Sequence, residues 1–320
     1  MLGGTSWLGG WIAHEAAVRA HRVTCLARGE SGTAPRAAAL VRADREAPDA
    51  YDEVLDHRWD AVIDVSRQPA QVRSAIDALG GVTSHWTLVS TGSVYADQSG
   101  PLSESSALLE PLAADQDADA EHYGEGKVAC ERIVAEHRHP LVVRAGLIGG
   151  PGDRSDRLGY YVSRFALAGD GPVLVPDVRD QPMQVVDVRD LAAWIVRAAE
   201  ARTTGVVHGV GESSTVGELI DLSADVAAFS GDRVEAGERW LHEHDVEAWT
   251  GERSLPLWLP ATHHGMGQMD DSRAVGLGLV RRPLAETLAD TLADERRRGL
   301  DRPRRAGLAR PDELELIGLR

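Results

Sequence analysis

Short apolar runs alternate with amphipathic stretches through the first 150 residues. Arg22–Leu26, Ala38–Val41, Ala61–Val65, Trp86–Val89 and Leu141–Val143 read as buried strands with helical segments between them. Strands that are apolar along their whole length predict a parallel sheet covered by helices on both faces. The expected class is therefore α/β, a doubly wound parallel sheet. The pattern continues with Pro172–Val175 and Met183–Val186, a helix from about Asp187 to Glu200, and a strand near Gly205–Val210. Thr215 is placed to cap a further helix, with Glu218 at capping-box spacing.

From about Asp232 the periodicity weakens, and Trp240, Trp249 and Trp258 lie among polar residues, as expected of a smaller C-terminal lobe. One late helix is clear. Pro283 falls near its first turn, Leu284, Leu288 and Leu292 recur every four residues, Arg296–Arg298 sit at its negative dipole end, and Gly299 stops it. The last twenty residues, rich in Arg and Pro, read as a loosely packed tail. At the other end, Gly3-Gly4-Thr5-Ser6-Trp7-Leu8-Gly9 has the form of a strand-to-helix loop, with a helix expected over Trp11–Ala20. Only Met1 and Leu2 precede that loop, whereas a strand takes roughly five residues. The first strand is thus expected to be truncated, with the natural start lying upstream.

Charge narrows the function classes. A formal net charge of −16 opposes nucleic-acid binding, which draws its affinity from Lys and Arg displacing condensed counterions. No run of about 18 apolar residues predicts a membrane span, and no basic segment followed by an apolar stretch predicts a secretory leader. Cys25 and Cys130 are the two cysteines, too few for a disulfide framework, so a cytoplasmic location is expected. Among 34 basic residues Lys127 is the single lysine. His242, His244, His263 and His264 come with no carboxylate spacing that completes a metal site, and none is expected.

A dinucleotide pyrophosphate needs a tight glycine turn that brings backbone N–H groups and a helix N-terminus up to its charge. Gly3, Ser6 and Gly9 hold a G-x-x-G-x-x-G spacing with Ser in the middle place, and Trp7 and Leu8 lie on the same turn. About 18–20 residues beyond the last glycine, an acidic residue would bind a ribose 2′-hydroxyl, but Ala27 and Arg28 stand there. Arg28 suits a 2′-phosphate, which mildly favours NADP(H) over NAD(H). Asp44, after the next strand, is a candidate adenine contact.

Tyr123-Gly-Glu-Gly-Lys127 places a phenol and an ammonium on one face of a helical turn. A phenol with an ordinary pKa of about 10 needs a nearby cation to move protons near neutrality, and Lys127 supplies it while also able to hold a nicotinamide ribose. Gly124 and Gly126 each cost a helix about 1 kcal/mol against alanine and demand a reason such as close cofactor approach. The strand Trp86–Val89 ends in Ser90-Thr91-Gly92-Ser93-Val94-Tyr95, setting the Thr91 and Ser93 hydroxyls at the carboxyl edge of the sheet, where ligands bind.

Together these motifs resemble the extended short-chain dehydrogenase/reductases, the NAD-dependent epimerase/dehydratase group, over most of residues 1 to about 210. Tyr123 and Lys127 match that group's catalytic pair, and Thr91 falls where its catalytic Ser or Thr stands. Arg144-Ala-Gly-Leu-Ile-Gly-Gly-Pro151 resembles the strand and Gly-Pro turn beside the nicotinamide, and Val186-Asp-Val-Arg-Asp190-Leu-Ala a helix-start motif. The resemblance implies a Rossmann domain over 1–170, to which strands near 183–210 can return, and a substrate lobe over 171–320. It implies a small-molecule substrate with Ser93 beside it, sugar nucleotides included, and a homodimer through the tyrosine helix. Hydride transfer between nicotinamide and a secondary alcohol or ketone is the expected reaction, by reduction or epimerisation. Sugar dehydratases of the group carry Asp-Glu after the catalytic Thr, and Gly92-Ser93 here disfavours that branch. The opening Gly-Gly-Thr-Ser-Trp-Leu-Gly also resembles a branch that includes chloroplast stem-loop RNA-binding proteins. A non-catalytic dinucleotide sensor or RNA binder is therefore the alternative, opposed by charge and by the intact Tyr/Lys pair.

Overall fold

The computed structural model describes residues 1–113 and 116–320. The strands are β1 (Val23–Ala27), β2 (Ala38–Arg42), β3 (Val62–Asp64), β4 (Trp86–Thr91), β5 (Pro140–Ala145), β6 (Leu147–Gly149), β7 (Val173–Pro176), β8 (Pro182–Asp187), β9 (Gly205–Gly209), β10 (Ser213–Thr215) and β11 (Arg233–Ala236). The helices that matter below are α1 (Trp7–Val18), α2 (Asp52–Leu55), α3 (Pro69–Leu79), α4 (Tyr123–Val134), α5 (Arg157–Ala168), α6 (Val188–Glu200), α7 (Val216–Ala227), α8 (Glu238–Glu243), α9 (Ser272–Gly276), α10 (Leu284–Arg298) and α11 (Arg310–Gly318).

β3, β4, β5 and β9 pair side by side in parallel, and β2 pairs with β1 in the same sense. Leu2 joins the two groups, bridging Leu26 of β1 on one side and Asp64 of β3 on the other. Its amide donates to the Ile63 carbonyl at 2.9 Å, and the Met1 carbonyl accepts from the Leu26 amide at 3.0 Å. The short segment expected from Met1 and Leu2 thus occupies the central place in the sheet. Side chains of α1 and α6 (Ile12, Leu191, Trp194, Ile195) pack on Val89, Leu141, Val143 and Val207. On the opposite face Val72, Ala75 and Leu79 of α3, with Cys130 and Val134 of α4, cover Leu26, Trp86 and Leu88. Helices on both faces explain why these strands lack polar alternation.

A second core gathers Leu158, Tyr160, Tyr161 and Phe165 of α5 with Leu219 and Ile220 of α7 and Leu288 of α10. β10, β8 and β6 form a small sheet beside it, and β11 pairs with β7. The Thr215–Glu218 capping box at the start of α7 is present in full.

Two expectations need correction. α1 starts at Trp7 rather than Trp11, because the Ser6 side chain caps it and the Gly10 amide donates to the Ser6 carbonyl at 2.7 Å. Two glycines in its first turn had diluted the helical pattern. The last twenty residues are not a loose tail: Ala306, Leu308, Glu313 and Leu316 are buried, and α11 docks beside β7. The Glu313 carboxylate accepts from the Leu174 amide at 3.0 Å and pairs with Arg164 and Arg310. Ion pairs of Arg302 with Asp156 and of Arg304 with Glu295, together with buried Leu308 and Leu316, tie this segment down.

Candidate active site

The carboxyl ends of the parallel strands and the N-terminus of α1 meet at one edge. Gly3 has φ +80°, a left-handed conformation that glycine adopts without strain. A Cβ at Gly9 would lie 2.2 Å from the Gly3 carbonyl oxygen, so that position too must be glycine. Ser6 has its own part in the turn: its hydroxyl donates to the Gly3 carbonyl at 2.8 Å and accepts from the Gly9 amide at 3.2 Å. The Trp7 and Leu8 amides find no hydrogen-bond partner among the described residues. They point from the positive end of the helix dipole, an arrangement that seats anions. The Trp7 indole donates to the Pro151 carbonyl at 2.9 Å, tying the turn to the Gly-Pro segment.

Tyr123 is the first residue of α4, and Lys127 lies one turn on. The Lys127 ammonium, 3% exposed, donates to the Ser66 and Val89 carbonyls, each at 2.7 Å. Two carbonyls thus anchor the charge, and a third donor is left for a ligand. The Thr91 hydroxyl donates to Ser93 Oγ and accepts from the Ser93 amide, both at 3.2 Å. Ser6, Trp7, Leu8, Thr91, Ser93, Tyr123 and Lys127 all line one cavity of about 560 Å³. Gln181, Met183, Trp249, Leu257 and Met266 close it from the lobe side.

Arg28 and Asp44 are not among the residues lining that cavity. They face each other beyond the ends of β1 and β2, with Arg28 Nη1 3.9 Å from Asp44 Oδ2 and Arg28 Nε 3.3 Å from Glu30 Oε2. Next to Asp44, Arg45 grips the buried Asp64 carboxylate with two bonds of 2.9 and 2.8 Å, fixing the end of β3.

The glycines of α4 have a different reason from the expected one. A Cβ at Gly124 would lie 2.4 Å from the Ser93 carbonyl oxygen, and one at Gly126 would lie 2.4 Å from Ala118 Cβ. They let the helix press against the Thr91–Ser93 turn and the Ala118 segment, which brings Tyr123 and Thr91 to the same cavity.

Several residues of the site escaped the sequence reading. Glu131, one turn beyond Lys127, accepts from Ser90 Oγ at 2.5 Å and from Arg144 Nε and Nη2 at 3.1 and 2.7 Å. Arg144 also donates to the Tyr95 hydroxyl at 3.0 Å, and Tyr95 is bonded to His208. Burial pushes the Tyr95 phenol up and His208 down, so both are held neutral. This network locks α4 to β4 and β5 behind the Thr91 and Tyr123 hydroxyls. The i, i+4, i+8 spacing of Tyr123, Lys127 and Glu131 was a legible signal for its first member.

Asp153 and Arg157 also line the cavity. Burial raises the Asp153 carboxyl, against bonds of 2.8 Å from the Ser155 amide and hydroxyl. Burial lowers Arg157, against the charges of Asp153 and Tyr123, which act to raise it. The Arg157 guanidinium lies over the Trp249 ring at 4.5 Å.

The four histidines noted in the sequence are engaged separately. His242 packs on Trp258, His244 on Trp240, His263 binds Thr262, and His264 binds the Leu259 carbonyl. No described helix is long and apolar enough to cross a membrane.

No curated protein matches the chain. Solved structures do match its fold. UDP-glucuronic acid 4-epimerase from Bacillus cereus in complex with NAD aligns over 92% of this chain and 97% of its own, at 16% identity and TM-score 0.67. UDP-N-acetylglucosamine 4-epimerase from Bacillus cereus aligns over 94% and 96%, at 17% identity and TM-score 0.67. UDP-glucose 4-epimerase from Thermotoga maritima, with UDP-glucose, aligns over 93% and 98%, at 17% identity and TM-score 0.66. Residues 1–211 match the family model described as NAD dependent epimerase/dehydratase family, and the chain belongs to that family.

Proposed function

We propose that this chain is an oxidoreductase of the epimerase or reductase kind, acting on a secondary alcohol or ketone, with a sugar nucleotide as the favoured substrate class. One observation carries the reading: Thr91, Tyr123 and Lys127 line the same cavity as the α1 N-terminus with its unpartnered Trp7 and Leu8 amides. The residues present fit a nicotinamide dinucleotide, because the tight Gly3–Gly9 turn sets the unpartnered Trp7 and Leu8 amides at the start of α1, on the cavity that Lys127 also lines. Trp7 and Leu8 amides would take the pyrophosphate, and the free donor of Lys127 a ribose hydroxyl. Such a group, when bound, supplies the hydride acceptor or donor.

The rest falls to the protein. Thr91 Oγ1 hydrogen-bonds the carbinol or carbonyl oxygen and orients it. The Tyr123 hydroxyl takes or returns that oxygen's proton, with the Lys127 cation one turn below it. Ser93 holds the substrate from the same turn.

Arg28 alone favoured NADP(H), but its guanidinium is flanked by two carboxylates, Glu30 and Asp44, with the Arg42 guanidinium against the Arg28 carbonyl. The two carboxylates oppose a 2′-phosphate and support NAD(H), the form named in the Bacillus cereus complex. Titration of the protein with NAD+ and NADP+ is expected to give the tighter binding for NAD+; tighter binding of NADP+ would reverse this reading.

Turnover is tested with UDP-glucose, UDP-glucuronic acid and UDP-N-acetylglucosamine in the presence of NAD+. Tyr123→Phe should lower the rate by about 10²–10⁴-fold while leaving NAD+ affinity unchanged. A variant as active as the wild type would remove Tyr123 from the chemistry.

A further inference from the structure

Arg157 is placed where an arginine needs an anionic partner, and among the described residues none lies within ion-pair distance. Its Nε donates to Ser155 Oγ at 3.3 Å, its planar face rests on Trp249, and its remaining N–H groups have no acceptor among the described residues. No carboxylate among those residues comes within ion-pair distance of it. Its sequence neighbour could have served, but Asp156 adopts φ +63° and points the other way. There its carboxylate accepts from Arg298 Nη2 at 3.2 Å, from Arg302, and from the Arg305 amide at 2.9 Å. The C-terminal segment thus occupies the carboxylate adjacent in the chain and leaves the guanidinium facing the cavity. Asp153 shares that cavity, but its oxygens are engaged by Ser155.

A cation half removed from water is costly unless an opposite charge arrives. Stacking on tryptophan fixes its plane and leaves its edge donors free to bind a carboxylate or phosphate. We infer that Arg157 recognises an anionic group of the substrate, a carboxylate or a phosphate, held in the cavity beside Tyr123. The inference rests on the oxidoreductase reading above and names the substrate feature that site selects. A neutral alcohol or ketone would leave the guanidinium unpaired and would be bound poorly.

The test is calorimetric titration of the protein saturated with NAD+, using UDP-glucuronate, UDP-glucose, glucuronate and glucose as probes. Arg157→Gln should weaken the anionic probes by about 10- to 100-fold, the range of a charge-assisted hydrogen-bond pair, with NAD+ affinity unchanged. Arg157→Lys should recover part of the loss, since it keeps the charge and forfeits the planar fork. A loss for both glucuronates but not UDP-glucose assigns a carboxylate; a loss for UDP-glucose as well assigns the diphosphate. Should Arg157→Gln lose NAD+ binding altogether, Trp249→Leu, which removes only the stacking partner, is expected to weaken the same anionic probes. Anionic probes bound no better than glucose by the wild type, or bound equally by wild type and variants, would overturn the inference. Binding is read without turnover, so an inactive protein that still selects anions through Arg157 would count against the proposed reaction alone.

Discussion

Asp156 and Arg157 are adjacent in the chain and sit in opposite electrostatic settings. Asp156 faces a knot of charge built by the C-terminal segment, where Glu295, 2% exposed, takes Arg298 at 2.8 Å, Arg302 at 3.0 Å and Arg304 at 2.8 Å. Arg157 faces the cavity that Thr91, Tyr123 and Lys127 line, and has only a serine and an aromatic ring. In the knot every buried carboxylate has several cations; in the cavity the cation has no carboxylate within ion-pair distance among the described residues. The difference lies in what completes each charge: the protein itself in one case and, on the inference above, a bound anion in the other. A left-handed backbone at Asp156 makes the separation possible, and aspartate tolerates that conformation better than most residues.

The comparison predicts its largest effect at the knot. Glu295→Ala would remove a carboxylate shared by three guanidiniums and leave Arg304 without its ion-pair partner, and Arg302 Nε and Arg304 Nη1 already lack partners among the described residues. Removing one side of a buried ion pair costs about 3–5 kcal/mol, so the unfolding free energy measured by urea titration should fall by an amount of that order. A loss below about 1 kcal/mol would mean that the tail is held by apolar contacts such as Leu308 and Leu316 instead. The contrast with Arg157 would then lose its basis, because the C-terminal arginines would not be what occupies Asp156.

The same contrast explains what could be read from residues alone. Buried parallel strands and the Tyr123/Lys127 spacing are local patterns, and both carried over into the fold and the cavity. Thr91 followed from its place at the end of a buried strand. The tail was misread because arginine and proline suggest solvation, while Arg302 pairs with Asp156 and Glu313 with Arg164, partners that only the folded chain brings near. Arg157 was missed for the complementary reason: in Asp153-Arg-Ser-Asp-Arg157 nothing says which charges will be paired. Glu131 lay within reach of helical spacing, but its partners Ser90 and Arg144 come from two strands.

A smaller effect should come from the third way of burying a titratable group, which is to leave it uncharged. His85 is fully buried before β4, with Nε2 3.0 Å from Thr87 Oγ1, and its pKa is pushed down to about 4. Burial is the main cause, followed by His137, His139 and Arg202. In the unfolded chain the same imidazole titrates near 6.5, so between these values the unfolded state binds more protons and stability rises with pH. The contribution is fully present above about pH 6.5 and fades as pH falls toward 4. From about pH 7.5 to 5, wild type should lose about 2 kcal/mol more of its unfolding free energy than His85→Gln, which has no charge to gain. Parallel curves for the two proteins would show that His85 accepts a proton in the fold, and that this half of the molecule, like the cavity at Arg157, keeps a buried cation without a carboxylate beside it.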